Sequence, residues 1–234
     1  MRAFPTELNA VDYFLRADPD GLGAWMVRRD SRLVWLCIIA IVAGAAPYGA
    51  VMGCWWSPLQ GTYVAIKLPL LVLLTSLGNG LLNGMLAPLL GLNITFRQSL
   101  TAVLLSFAYA AIILAAFSPV GLFIVWNTPP ANAATRSSPE HALLQLTLVA
   151  FIAFAGVVGN VRLLPVLRQL AGRRSVARNV LVAWLGGNLF LGSQICWVLR
   201  PWIWGGKPVT FIGPHPFHGN FYETVFYALK RLLF

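Results

Sequence analysis

Lys67 is the one charged side chain that sits clearly inside the five long apolar runs of this chain, Arg162 standing at the very end of the fourth, and all seven carboxylates lie outside them. A helix needs about 20 consecutive apolar residues to cross the hydrocarbon core of a bilayer. Runs of that kind occupy residues 33–53, 63–86, 100–125, 142–164 and 180–199. Charged residues make up 10 % of the composition and mean hydropathy is +0.73, whereas a soluble domain carries about a quarter charged residues. The expected fold is an all-α integral membrane protein, a five-helix transmembrane bundle with amphipathic interfacial helices at both ends. Its expected parts are a cytoplasmic N-terminal segment (1–32), the five-span domain (33–200) and an external C-terminal tail (201–234).

The same pattern narrows the chemistry. An ionisable group in hydrocarbon is costly enough to be kept mainly for function. A proton relay or an aspartyl dyad would need a carboxylate at depth, and Glu7, Asp12, Asp18, Asp20, Asp30, Glu140 and Glu223 all sit elsewhere. HExxH, GxSxG and a phosphate-cradling glycine loop do not occur in the sequence. No enzyme activity and no cofactor are expected. The nearest approach to a metal set is His215 and His218 with Glu223. Pro216 between the histidines prevents a helical i,i+3 presentation and a fourth ligand is lacking, so no metal is expected. Cys37, Cys54 and Cys196 read as buried free thiols, with a Cys54–Cys196 disulfide as the second option. Four aspartates and a glutamate precede the first run, unlike a short basic leader, so that run is read as a retained anchor.

Basic residues are distributed by loop. With the N-terminus cytoplasmic, Arg2, Arg16, Arg28, Arg29, Arg32, Arg97, Arg162, Arg168, Arg173, Arg174 and Arg178 fall inside, and Arg136, Arg200, Lys207, Lys230 and Arg231 outside. That bias is the positive-inside pattern, and five spans then put the C-terminus outside. The net charge of +10 is thereby a topology signal, and no nucleic-acid partner is expected. The 164–180 loop, with Arg168, Arg173, Arg174 and Arg178, reads first as a retained cytoplasmic loop and second as a site for anionic lipid headgroups.

Lys67 lies about 7 Å from the outer end of the second run, within snorkelling reach of water. It is expected to be structural, with an anion site, shared with Arg200, as the alternative. Small residues recur at helical spacing: Gly49 with Gly53, Gly80 with Gly84, Ala155 with Gly159, and Asn188 with Gly192 and Cys196. Such faces let helix backbones approach closely. They imply packing within the chain or contact with a partner. The cluster Gly78-Asn79-Gly80 and Asn83-Gly84 followed by Pro88 predicts a break or bend near the inner end of the second span. Residues 6–16 and 220–233 are amphipathic at helical spacing, and Trp55, Trp56, Trp126, Trp197, Trp202 and Trp204 form an aromatic belt at the outer boundary.

The stretch Leu90-Gly91-Leu92-Asn93-Ile94-Thr95-Phe96-Arg97-Gln98-Ser99-Leu100, followed by Ala108-Tyr109-Ala110, resembles the start of the third span in the Yip1-like membrane proteins. Tyr48-Gly49-Ala50-Val51-Met52-Gly53, Ala65-Ile66-Lys67-Leu68-Pro69-Leu70-Leu71, Phe117-Ser118-Pro119-Val120 and Trp197-Val198-Leu199-Arg200-Pro201-Trp202 are similar to multi-span proteins of bacteria such as planctomycetes. The resemblance covers roughly residues 30–225. It implies five spans, an N-inside and C-outside arrangement in a bacterial inner membrane, and a non-enzymatic organiser or accessory subunit. The acidic Tyr-Gly-Pro element of the eukaryotic members is missing, so a trafficking role is not carried over.

Two functions compete at this point. The first is a membrane scaffold or accessory subunit that docks a larger complex, with membrane lipids, other membrane-protein subunits or a second copy as partners. Its contact residues would be Gly49, Gly53, Gly80, Gly84 and Gly192. The second is a channel or transporter with an external basic vestibule around Lys67, Arg200 and Lys207, since basic rings favour anions.

Overall fold

The computed structural model describes residues 31–130, 138–203 and 208–233. The amphipathic stretch expected at 6–16, together with Arg136, Trp204 and Lys207, lies outside them. Seven helices are described: α1 (Arg32–Cys54), α2 (Pro58–Leu89), α3 (Phe96–Asn127), α4 (Pro139–Val161), α5 (Leu164–Ala171), α6 (Arg174–Val198) and α7 (Phe221–Leu233). There is no strand among the described residues. Five helical stretches are long and apolar enough to span a membrane: α1, α2, α3, α4 continued by α5, and α6. The chain is an all-α bundle of the integral membrane class.

Local chemistry sets the helix ends. Ser57 accepts a hydrogen bond from the Gln60 amide, and Pro58 fills the first helical turn, where a missing N–H costs nothing. Ser138 and Pro139 repeat this at α4. Thr95 and Gln98 cap α3 reciprocally, each side chain bonding the other's backbone N–H. Gly172, at φ +64°, ends α5 in the left-handed conformation that a side chain resists.

Two expectations are revised here. Of the break or bend expected in the second span, the break does not occur, because α2 runs unbroken for 32 residues through both asparagine-glycine clusters. Those glycines are used for close approach instead: a Cβ on Gly80 would meet the Leu100 side chain at 2.6 Å and one on Gly84 would meet Phe96 at 3.3 Å. The basic 164–180 loop is also helical for most of its length, as α5, a turn at Gly172 and the start of α6.

α1, α2 and α3 form the core, with α1 packed along both others. α4 lies on the outer side of α3, α6 lies on α2, and α4 and α6 touch each other little. Burial follows this order: 61 % of the apolar stretch of α3 is buried, against 28 % for α4 with α5 and 22 % for α6. Between α1 and its neighbours the glycines are indispensable. A Cβ on Gly49 would sit 2.5 Å from the Val64 carbonyl oxygen, one on Gly53 2.5 Å from that of Gln60, and one on Gly44 2.5 Å from that of Ala111. Tyr48, fully buried, donates its hydroxyl to the Leu148 carbonyl at 2.8 Å and ties α1 to α4. α7 turns one side, with Ala228 buried, against α4 and α6. It leaves Tyr222, Phe226 and Leu229 exposed, so part of its apolar surface serves the bundle rather than a leaflet.

Candidate functional site: a latched outer segment above a polar seam

α2 buries most of its polar residues: Gln60, Lys67, Thr75, Ser76, Asn79 and Asn83 are each at most 2 % exposed. Opposite them runs α6, antiparallel, and the segment that follows it. Thr75 faces Gly192, Gly78 faces Leu191, and Asn79 and Asn83 face Gly187.

At the N-terminal end of α2 the seam is latched. Lys67 Nζ donates to the Pro201 carbonyl at 2.9 Å. Gln60 Nε2 donates to the same oxygen at 2.9 Å and to that of Trp202 at 3.1 Å. The ammonium also lies over the Phe211 ring at 5.0 Å and the Trp202 ring at 5.9 Å, so its charge is met by carbonyl oxygens and negative ring faces. The snorkelling expectation is corrected on this point. Because the Ser57–Pro58 cap starts α2 five residues before the apolar run, Lys67 lies about 14 Å along the helix. It is 0 % exposed beneath residues that come from beyond α6.

Arg200 holds that segment to itself. Its guanidinium donates to the Trp197 carbonyl at 3.1 Å and to those of Pro216 and His218 at 3.0 Å, and also to that of His215. It stacks 4.0 Å from the centre of the Trp197 ring. Desolvation lowers its pKa from the ordinary arginine value, and the group remains a cation, as arginine does in proteins. Trp197 Nε1 donates to the His218 carbonyl and Trp202 Nε1 to that of Cys196. Asn220 and Glu223 bond reciprocally at the start of α7. His215 and His218 thus contribute backbone oxygens to Arg200, while Glu223 accepts from Asn220. Among the described residues no three of His, Cys, Asp and Glu stand together as a metal set. All three cysteines are free.

Deeper in, the seam changes character. Asn188 Nδ2 donates to Asn160 Oδ1 at 3.0 Å, linking α6 to α4, and Asn160 Nδ2 donates to the Gly156 carbonyl. Thr75 Oγ1, both amide heavy atoms of Asn79 and of Asn83, Asn188 Oδ1 and Trp184 Nε1 are buried without a hydrogen-bond partner among the described residues. Left dry, each such group costs about 1–3 kcal/mol, and lipid offers no partner of its own. No charged residue shares this stretch between Lys67 and the inner end of α2. Sequence reasoning missed the cluster by reading Asn79 and Asn83 as helix breakers. Their spacing from Thr75, two successive steps of four along one helix face, was the available signal.

The remaining candidate residues fall into place separately. Gly49, Gly53, Gly80 and Gly84 are all spent on packing inside the chain, and Gly192 makes ordinary van der Waals contact with Thr75 at 3.5 Å. The first four thus take the helix-packing option of that expectation, within the chain. Arg173, Arg174 and Arg178 are exposed around the N-terminus of α6, and Arg168 is half-buried on α5. Basic groups oppose the helix dipole there, so they do not stabilise α6 and stand ready for an anionic surface. No protein-family model, no functionally characterised protein and no solved structure matches this chain.

Proposed function

We propose that this chain is a non-enzymatic membrane subunit that works by contact, an accessory or scaffolding member of a larger membrane assembly. The observation that carries the reading is the uneven burial of the bundle. α1, α2 and α3 use their glycines to close on one another and have 39–61 % of their apolar stretches buried, whereas α4 with α5 has only 28 % and α6 only 22 %. Leu143, Phe154 and Val157 on α4 and Val182, Leu189 and Phe190 on α6 are each 46–64 % exposed. Transmembrane helices of another membrane-protein subunit fit that chemistry, since association in lipid rests on packing rather than on a hydrophobic drive.

In this reading the N-terminus is cytoplasmic, the C-terminus is external and the membrane is a bacterial inner membrane. The exposed Arg173, Arg174 and Arg178 meet anionic headgroups at the inner surface, each contributing about 1 kcal/mol. Over the vestibule alternative, this reading is supported by the cover on Lys67 and by the Arg200 donors, which go to backbone carbonyls. The test is isolation of the intact chain from native membranes with its lipids. Co-isolation of a second membrane protein at fixed stoichiometry, lost on replacing Phe154 and Phe190 by alanine, supports the reading. A lone homo-oligomer that passes ions in reconstituted vesicles contradicts it.

A further inference from the structure

We infer that the C-terminal end of α2 is the docking surface for this chain's own residues 6–16, which precede the described part of the chain. The first observation is a row on α2 whose cover stops. At helical spacing it runs through Val64, Leu68, Thr75 and Asn79, all buried, and on through Leu82, Leu86 and Leu89, which are 45 %, 41 % and 81 % exposed. The second is the register of the bundle. The Gly49–Val64 and Gly53–Gln60 contacts, followed back along α1 and forward along α2, set Arg32 level with Leu81. The Gly44–Ala111 contact, taken through α3 to the Gly80–Leu100 and Gly84–Phe96 contacts, gives the same level. The row therefore loses its cover where α1 starts. From there α2 runs on for about 12 Å, towards the side from which the chain enters α1.

The occupant follows from what surrounds the row. Phe96, which faces Gly84, is followed by Arg97, and Val176, which faces Gly91, stands between Arg174 and Arg178. Guanidinium groups are costly in hydrocarbon, so this end of α2 lies at the level of headgroups and water, where acyl chains cover an apolar strip poorly. An amphipathic helix that carries carboxylates covers it well. In residues 6–16, Leu8, Val11, Phe14 and Leu15 share one face at helical spacing, with Glu7 and Asp12 on its flanks to meet the arginines. As a helix that stretch is about 16 Å long, enough for the uncovered end of α2. Residues 17–31, with the Asp18-Pro19-Asp20-Gly21 turn, reach up to about 50 Å, far more than the return requires. This inference does not depend on the accessory-subunit reading.

The test uses the full-length chain in its membranes, with Cys37, Cys54 and Cys196 replaced by alanine and a short bismaleimide as the probe. Val11→Cys and Leu86→Cys lie at the middle of the segment and of the strip, so their meeting does not depend on which way the segment runs. This pair should cross-link at least about tenfold faster than Asn9→Cys, on the opposite face of the segment, does with Leu86→Cys. Leu8→Asp, which leaves the bundle untouched, should bring the Val11 pair down to the Asn9 rate. Leu82→Cys in place of Leu86→Cys repeats the reading if the first α2 variant fails to fold. With Val11→Cys and Leu86→Cys on separate co-expressed copies, no cross-link should form. Equal rates for the Val11 and Asn9 pairs, a Leu8→Asp variant as fast as its parent, or cross-linking between separate copies would overturn the inference.

Discussion

Lys67 illustrates how a single residue can be located correctly by composition and mistaken in its surroundings. It is the one charge well inside the apolar runs, and the helix cap at Ser57 carries it deeper than the run alone implies. Its ammonium faces the Pro201 carbonyl and the faces of Trp202 and Phe211. All of these favour a cation and repel an anion. Lys67→Glu should therefore destabilise the protein by about 3–5 kcal/mol, the cost of an uncompensated buried charge. Lys67→Met keeps the stem under the two rings and leaves Pro201 bonded to Gln60, so it should cost less. Thermal melting in detergent, with limited proteolysis of residues 199–220, reads both. Equal melting of the Glu variant and the wild type would remove the latch from the account.

At the scale of elements, the glycines divide into those that hold helices together and those that do not. Gly49→Leu drives a side chain into the Val64 carbonyl at 2.5 Å, and should cost at least about 3 kcal/mol, at the upper end of overpacking. Gly156, inside α4, has nothing within 4 Å, so Gly156→Ala should stabilise slightly, by about 0.5–1 kcal/mol of helix propensity. Melting temperatures of the two variants give the contrast directly, and a tolerated Gly49→Leu would contradict the tight α1–α2 contact. The five spans were legible in the sequence because length and apolarity are local properties, and serine-proline caps such as Ser57-Pro58 refine their ends. The seam was not legible. Whether Asn79 and Asn83 break a helix or line its buried face depends on α6, more than 100 residues later, arriving with Gly187 opposite them. The role of the small residues was half legible: spacing announced close contact, and only the packed bundle assigned it to α1, α2 and α3.

For the whole molecule, the proposed orientation and function meet at the basic N-terminal end of α6. The arginine bias predicts that Ser175→Cys, beside Arg174, is shielded from an impermeant thiol reagent added outside intact cells. Phe217→Cys, at an 82 % exposed position past Arg200, should be labelled. The opposite labelling would invert the topology and detach Arg173, Arg174 and Arg178 from the cytoplasmic leaflet.

In the contact account the surfaces that matter most are the uncovered faces of α4 and of α6. A photo-crosslinking residue placed at Phe154 or at Phe190 in native membranes samples those faces while the protein is at work. The account predicts a protein adduct of a single defined mass from at least one of these positions, at an amount that saturates with the partner. Adducts to lipid alone from both positions would contradict it.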